Sequence, residues 1–193
     1  EENDMPKKVF DQECILENAL FIAKEVGLEK MSMRSVAKRM QCSVTPIYDA
    51  FESKEDLIEA VYSKVIKENN SSNDYFIRNK EVLLYGLKHP QLYRDIRRQS
   101  AKSQQTNLYY DEVIQLMRNQ ESLSGFNDNE LESLNFDILI YMNGLVERSI
   151  TETGRFENIQ QTFVTYLEQV TELFILGYRT AKKMEEDTST IQF

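Results

Sequence analysis

Cysteine is scarce. Only Cys14 and Cys42 occur among 193 residues, with no CxxC pair, which leaves no disulfide framework. His89 is the one histidine, so a zinc site of the Cys/His type is not expected. Tryptophan is absent, and 6 Gly with 3 Pro are too few for the many tight turns of an all-β fold. No apolar run nears the roughly 18 residues of a membrane span, and no charged-then-apolar signal segment opens the chain. A cytoplasmic protein without a membrane partner is expected. Gly-rich phosphate loops and G-x-S-x-G turns are also missing, and pairs such as Asp111-Glu112 fall on helix surfaces. The expectation is therefore not an enzyme, with no cofactor. Met5 reads as the natural start, with residues 1–4 an appended tail whose three acids contribute to a net charge of −9.

What the chain does have is helical periodicity nearly throughout. Ile15, Leu16, Ala19, Leu20, Ala23 and Val26 form a stripe that Gly27 is placed to end. Ser32 can cap a short helix carrying Val36, Ala37 and Met40. After the break at Gln41-Cys42-Ser43, Ser43 is expected to cap 44–51, with Pro46 as its third helical residue. Ser53 to Asp56 reads as a capping box with Asp in place of Glu, opening a helix through Leu57, Val61 and Val65. A polar run at 69–74 is the best candidate boundary. Further helices are predicted near 75–88, 90–102, 107–121, 128–153 and 158–183. The last two are apolar on two sides, whereas a peripheral helix of a monomer needs only one apolar face. The fold class is all-α: a three-helix head at 6–52, a connecting helix and loop at 53–74, and a helical body at 75–193.

Residues 32–51 read as two short helices joined by a tight turn, the helix-turn-helix plan in which the second helix enters a major groove. Charge agrees with this. Lys30, Arg34, Lys38 and Arg39 lie between residues 30 and 48 with no acid among them. Phosphates respond to potential within about 8 Å at physiological salt, so an acidic total does not veto DNA.

The run ILENALFIAKEVGLEKMSMRSVAKRMQCSVTPIYDAFESKEDLIEAV, residues 15–61, resembles the N-terminal domain of TetR-family transcriptional regulators. Its most telling parts are 19–27, 32–37, Ser43, Ile47-Tyr48, Phe51 and 53–55. The resemblance implies a homodimer with a DNA-reading head and a helical ligand-binding body. It assigns residues 44–50 to the recognition helix, with Ser43 before it and Val44, Thr45 and Pro46 toward the bases. Val44 and Pro46 suit a thymine methyl, and Thr45 a base edge or phosphate. Tyr48 and Lys54 match phosphate-contacting positions, and Met33 and Arg34 open the preceding helix. Two residues depart from the pattern. Gln41 stands where Gly is usual, at a cost of roughly 1 kcal/mol if φ is positive. Asp49 brings a carboxylate to a phosphate-facing helix, unless it pairs with Arg34 or Lys54.

Cys42 and Cys14 are expected to pack rather than react, and His89 to sit at a helix break. Lys88, Arg94, Arg97, Arg98 and Lys102 form a second basic cluster, read as a solvated face or an anion site. In the body, Tyr85, Tyr93, Tyr109, Tyr110, Met117, Tyr141 and Asn143 are candidate ligand contacts, because aromatic walls with a few polar tips describe small-molecule pockets. The reading is a dimeric, sequence-specific regulator, favouring a repressor, with partners that are a double-stranded operator, a second copy through the last two helices, and a small-molecule effector. The alternative is an all-α ligand-binding protein whose head no longer reads DNA.

Overall fold

The computed structural model describes residues 11–69, 71–100, 106–152 and 158–190. Among these the regular elements are all helical. They are α1 (Gln12–Val26), α2 (Met33–Met40), α3 (Thr45–Ala50), α4 (Lys54–Asn69), α5 (Tyr75–Lys88), α6 (Pro90–Ser100), α7 (Thr106–Arg118), a 3-10 turn (Glu121–Leu123), α8 (Asp128–Thr151) and α9 (Ile159–Thr190). They separate into two units. Unit 1 holds the described residues up to Glu68 together with Gln91–Gln99; unit 2 holds those of Asn69–Pro90 and Ser100–Phe193.

Local chemistry sets the ends of the unit 1 helices. The Asp11 carboxylate accepts the Cys14 N–H at 2.7 Å and starts α1. Gly27 ends it at φ +84°. Ser32 and Ser35 satisfy each other's backbone N–H groups in a reciprocal box that starts α2. At 53–56, the Asp56 N–H donates to Ser53 Oγ at 3.0 Å, while the Asp56 carboxylate accepts from the Glu52 N–H at 3.2 Å. The shorter Asp thus serves the N–H one residue earlier than a Glu box would. The expected cap at Ser43 is corrected. Val44 is the N-cap residue, already helical at φ −75° and ψ −16°, and no side chain caps α3. Pro46 is accordingly the second helical residue. Cys14 is also corrected, because its side chain lies on the exposed side of α1; Cys42 is half-buried.

The head core is formed by Ile15, Ala19 and Ala23 of α1, Val36 of α2, Ile47 of α3, and Leu57 and Val61 of α4, each no more than slightly exposed. Lys64 of α4 reaches Glu13 and Glu17 of α1 at 2.8 and 2.7 Å. Donating to Glu13 and then to Glu17 raises the Lys64 pKa well above the ordinary lysine value, and Glu17 is lowered by accepting from Lys64.

The tightest constraint in unit 1 lies farther along the chain. Asp95 of α6 is 4% exposed. Its Oδ2 accepts the Leu28 N–H at 2.8 Å and its Oδ1 accepts from Gln91 Nε2 at 3.1 Å. A Cβ at Gly27 would meet Asp95 Oδ2 at 2.5 Å. Glycine is thus required twice, once by φ and once by space.

In unit 2, α8 packs on α9, and α5 packs on both. The core includes Leu83, Met117, Leu131, Leu134, Ile138, Met142 and Val146. The buried Tyr75, Arg78 and Asn135 are paired. Tyr75 Oη donates to Asn135 Oδ1 at 2.9 Å, and Arg78 bonds the Ser72 carbonyl through Nε and Nη2 and Glu112 through Nη1. Asn127 and Glu130 form the box expected at the start of α8. Backbone N–H donation from Asn127, more than the Lys182 ammonium, holds the Glu130 carboxyl below its usual value. Two ends differ from the sequence expectation: α7 stops at Arg118, where the chain tightens into the 3-10 turn, and α9 continues to Thr190.

Gly27→Ala should destabilise the protein by roughly 2 kcal/mol or more, combining positive-φ strain with displacement of Asp95. Urea unfolding checks this, and a change below about 0.5 kcal/mol would contradict the double requirement.

Candidate nucleic-acid interface

The turn between α2 and α3 is closed by backbone bonds from Gln41 N–H to the Lys38 carbonyl at 3.2 Å and from Cys42 N–H to the Ala37 carbonyl at 3.1 Å. This closure requires a left-handed residue, and Gln41 adopts φ 54° and ψ 45°. The position needing positive φ is therefore the one where the sequence carries Gln rather than Gly.

Around this turn the charged side chains divide into occupied and open ones. Lys30, Arg34 and Lys38 are exposed and make no hydrogen bond or ion pair among the described residues. Arg39 lies over the Phe21 ring, its Cζ 3.3 Å from the ring centroid. That contact accounts for the exposed Phe21 on α1, which offers its ring face to the Arg39 guanidinium. Lys54 donates to the Glu29 carbonyl at 2.8 Å, which fixes the start of α4 to the turn after α1; two of its three donors remain. Neither contact was evident in the sequence, although Phe21 off the buried stripe was a signal.

On α3, Thr45 and Tyr48 are exposed, with Tyr48 at 54%, while Val44 and Pro46 are half-buried. Ser43 is exposed beside them. Ile47 alone of this helix is fully buried and anchors it. Arg34 is exposed on α2. Met33 is not; at 4% exposure its side chain is spent in the core. Asp49 is exposed, and neither Arg34 nor Lys54 pairs with it; it has no partner among the described residues.

The body candidates are not brought together as one set. Tyr93 belongs to unit 1 and is buried there. Tyr85 is half-buried in unit 2, tilted against His89 at 5.1 Å, with His89 the C-cap residue of α5. Met117 is fully buried, and Tyr141 and Asn143 are half-buried on α8, where burial raises the Tyr141 pKa. The side chains of Tyr109 and Tyr110, and all of Lys102, lie outside the described residues. Of the remaining basic cluster, Arg98 is committed to Glu29 at 3.3 Å and faces Asp95 at 3.9 Å. Unit 2 also holds a cleft of about 420 Å³ between α5, the 3-10 turn and α9, which none of these candidates lines.

Residues 15–61 match the family described as bacterial regulatory proteins, tetR family. The match falls on the head. Among solved structures, the chain is similar to a TetR variant from Acinetobacter baumannii AYE in complex with minocycline, at TM-score 0.60 and 18% identity, over 90% of this chain and 98% of that one. That likeness extends the tetR-type fold over the helical body as well. A search of curated proteins gave no match. Together these comparisons give a head similar to tetR-family regulatory proteins and a tetR-type fold.

In a head with this turn, Gln41→Gly should stabilise by about 1 kcal/mol, since glycine adopts the left-handed region without a Cβ penalty. Thermal or urea unfolding reads the gain. A loss of stability would mean that the Gln41 side chain makes an offsetting contribution.

Proposed function

We propose that this chain is a homodimeric repressor that leaves a pseudo-palindromic operator when a small molecule binds its body. The observation that carries the DNA part is the exposed charge of the head. Lys30, Arg34 and Lys38 are exposed and unpaired among the described residues, and Thr45 and Tyr48 are exposed on α3 of the same head. Lysine and arginine would neutralise phosphates and set register, while the short α3 would offer Val44, Thr45 and Pro46 to base edges.

The dimer is supported by apolar surface that a monomer has no use for. Phe136 and Ile140 on α8 are 56% and 54% exposed, and Leu173, Leu176 and Met184 on α9 are 62–65% exposed. Each set recurs at helical spacing, opposite the buried stripes of the same helices. A two-fold pairing would cover both sets and present two heads to two half-sites.

Effector release follows the thermodynamics of linkage. The minocycline-bound TetR supports a ligand in a body of this fold. A ligand shifts operator affinity only by its differential affinity for the two conformations, and a 100-fold shift needs about 2.7 kcal/mol. Asp95 is the connection we assign between ligand and head, because α6 is covalently continuous with unit 2 residues and hydrogen-bonded to the turn after α1. Asp49 favours a second reading, a ligand-binding protein with a silent head, because its free carboxylate opposes phosphate approach.

Operator selection from random duplexes, followed by salt titration, separates the two readings. The regulator predicts a sequence preference and a steep salt dependence, and Arg34→Ala should reduce the slope by about one. Absence of any preference, with a shallow slope, would favour the silent head. For the dimer, light scattering should give twice 22.7 kDa, and Phe136→Glu combined with Leu173→Glu should give the monomer mass. A wild-type monomer at micromolar concentration would contradict the assembly.

A further inference from the structure

The cleft of about 420 Å³ in unit 2 joins α5 to α9. Its walls are Phe76 from α5 with Leu167 and Ile175 from α9, enough apolar surface for a ring system. Set into these walls are polar groups without internal partners. Asn79 Nδ2 is fully buried and makes no hydrogen bond. Thr171 is 7% exposed, and its hydroxyl has no partner among the described residues. Buried polar groups are normally satisfied, so an orphaned Asn79 Nδ2 in the cleft, with the Thr171 hydroxyl on the facing helix, indicates that something outside the chain completes them.

The charge on the cleft has one sign to spare. Lys80 and Glu168 pair across it at 3.2 Å, from residues 88 positions apart, and neutralise each other. Glu172, one turn further along α9, lines the same cleft and has no partner among the described residues. Two carboxylates at i and i+4 repel, and a single lysine compensates only one of them. A bound cation would relieve the second, whereas an anion would add to the excess.

We propose that this cleft is the effector site and that its ligand is an organic amine. An aromatic or alicyclic body would lie against Phe76, Leu167 and Ile175, an oxygen substituent would meet Asn79 and Thr171, and the ammonium would face Glu172. This deepens the effector reading above and rests on it for its regulatory meaning. The binding itself is independent of DNA.

Dansylcadaverine is a suitable probe, having a naphthalene ring, sulfonyl oxygens and a terminal ammonium, with fluorescence that reports transfer from water. Titrated into the full chain without DNA, it should bind saturably. Glu172→Gln, and separately acetylation of the probe amine, should each weaken binding on the order of tenfold or more. Glu172→Lys should transfer preference to the dansyl derivative of 6-aminohexanoic acid, a gain that an unfolded variant could not produce. Equal affinity for the amine and its acetylated form, or no saturable binding by the wild type, would overturn the assignment. With selected operator present, the amine should release the wild-type chain and the acetylated probe should not; release by both equally would overturn the effector role of the cleft. A chain that binds the amine as described but selects no operator would refute the regulator reading and leave the site standing. Operator binding without amine binding would do the reverse.

Discussion

One buried carboxylate organises unit 1. Asp95 lies far along the chain from the turn after α1, yet its Oδ2 accepts the Leu28 N–H at 2.8 Å, against a Gly27 that has no room for a Cβ. A buried anion needs compensation from several donors, and here the donors are a backbone N–H, Gln91 and, more distantly, Arg98. The consequence is geometric. The end of α1, the segment 28–32 that enters α2, and α6 occupy fixed positions against one another. The helix-turn-helix is therefore packed against a helix that arrives after α5, rather than standing as a three-helix unit.

Further contacts hold the same segment. Lys54 Nζ donates to the Glu29 carbonyl, while Arg98 approaches the Glu29 carboxylate. Lys64 gathers two acids from α1. These cations are structural, whereas Lys30, Arg34 and Lys38 near α2 and α3 have no partner among the described residues. The acidic total of −9 is compatible with phosphate binding, because these three are exposed and unpaired among the described residues and set the local potential. Asp49 runs against this division and is the residue on which sequence specificity has most to reveal.

Much of this was legible in the sequence where the chemistry is local. Gly27 as a helix stop, the Ser32 cap, the Asn127–Glu130 box and the starts of α5 and α8 all rest on interactions spanning four residues or fewer. Helix ends were less legible. The cap of α3 fell on Val44 because that residue is already helical, and Cys14 proved exposed because the stripe on α1 is narrower than its apolar residues suggest. Met33 illustrates a different limit: a motif position can be matched while its side chain is consumed by the core.

By itself, the sequence determined the all-helical class, the turn at 41–44, the cationic stretch beside it and the two-sided character of the last two helices, since each follows from periodicity or from spacing of a few residues. Only the tertiary structure decided that Asp95 holds the turn after α1, that Arg39 rests on Phe21, and that Asn79, Thr171 and Glu172 line a single cleft. Those groups come from distant parts of the chain, and no pattern along a sequence states which buried donor will meet which acceptor. That pairing is set by packing, which satisfies most buried polar groups and leaves Asn79 Nδ2 without a hydrogen bond.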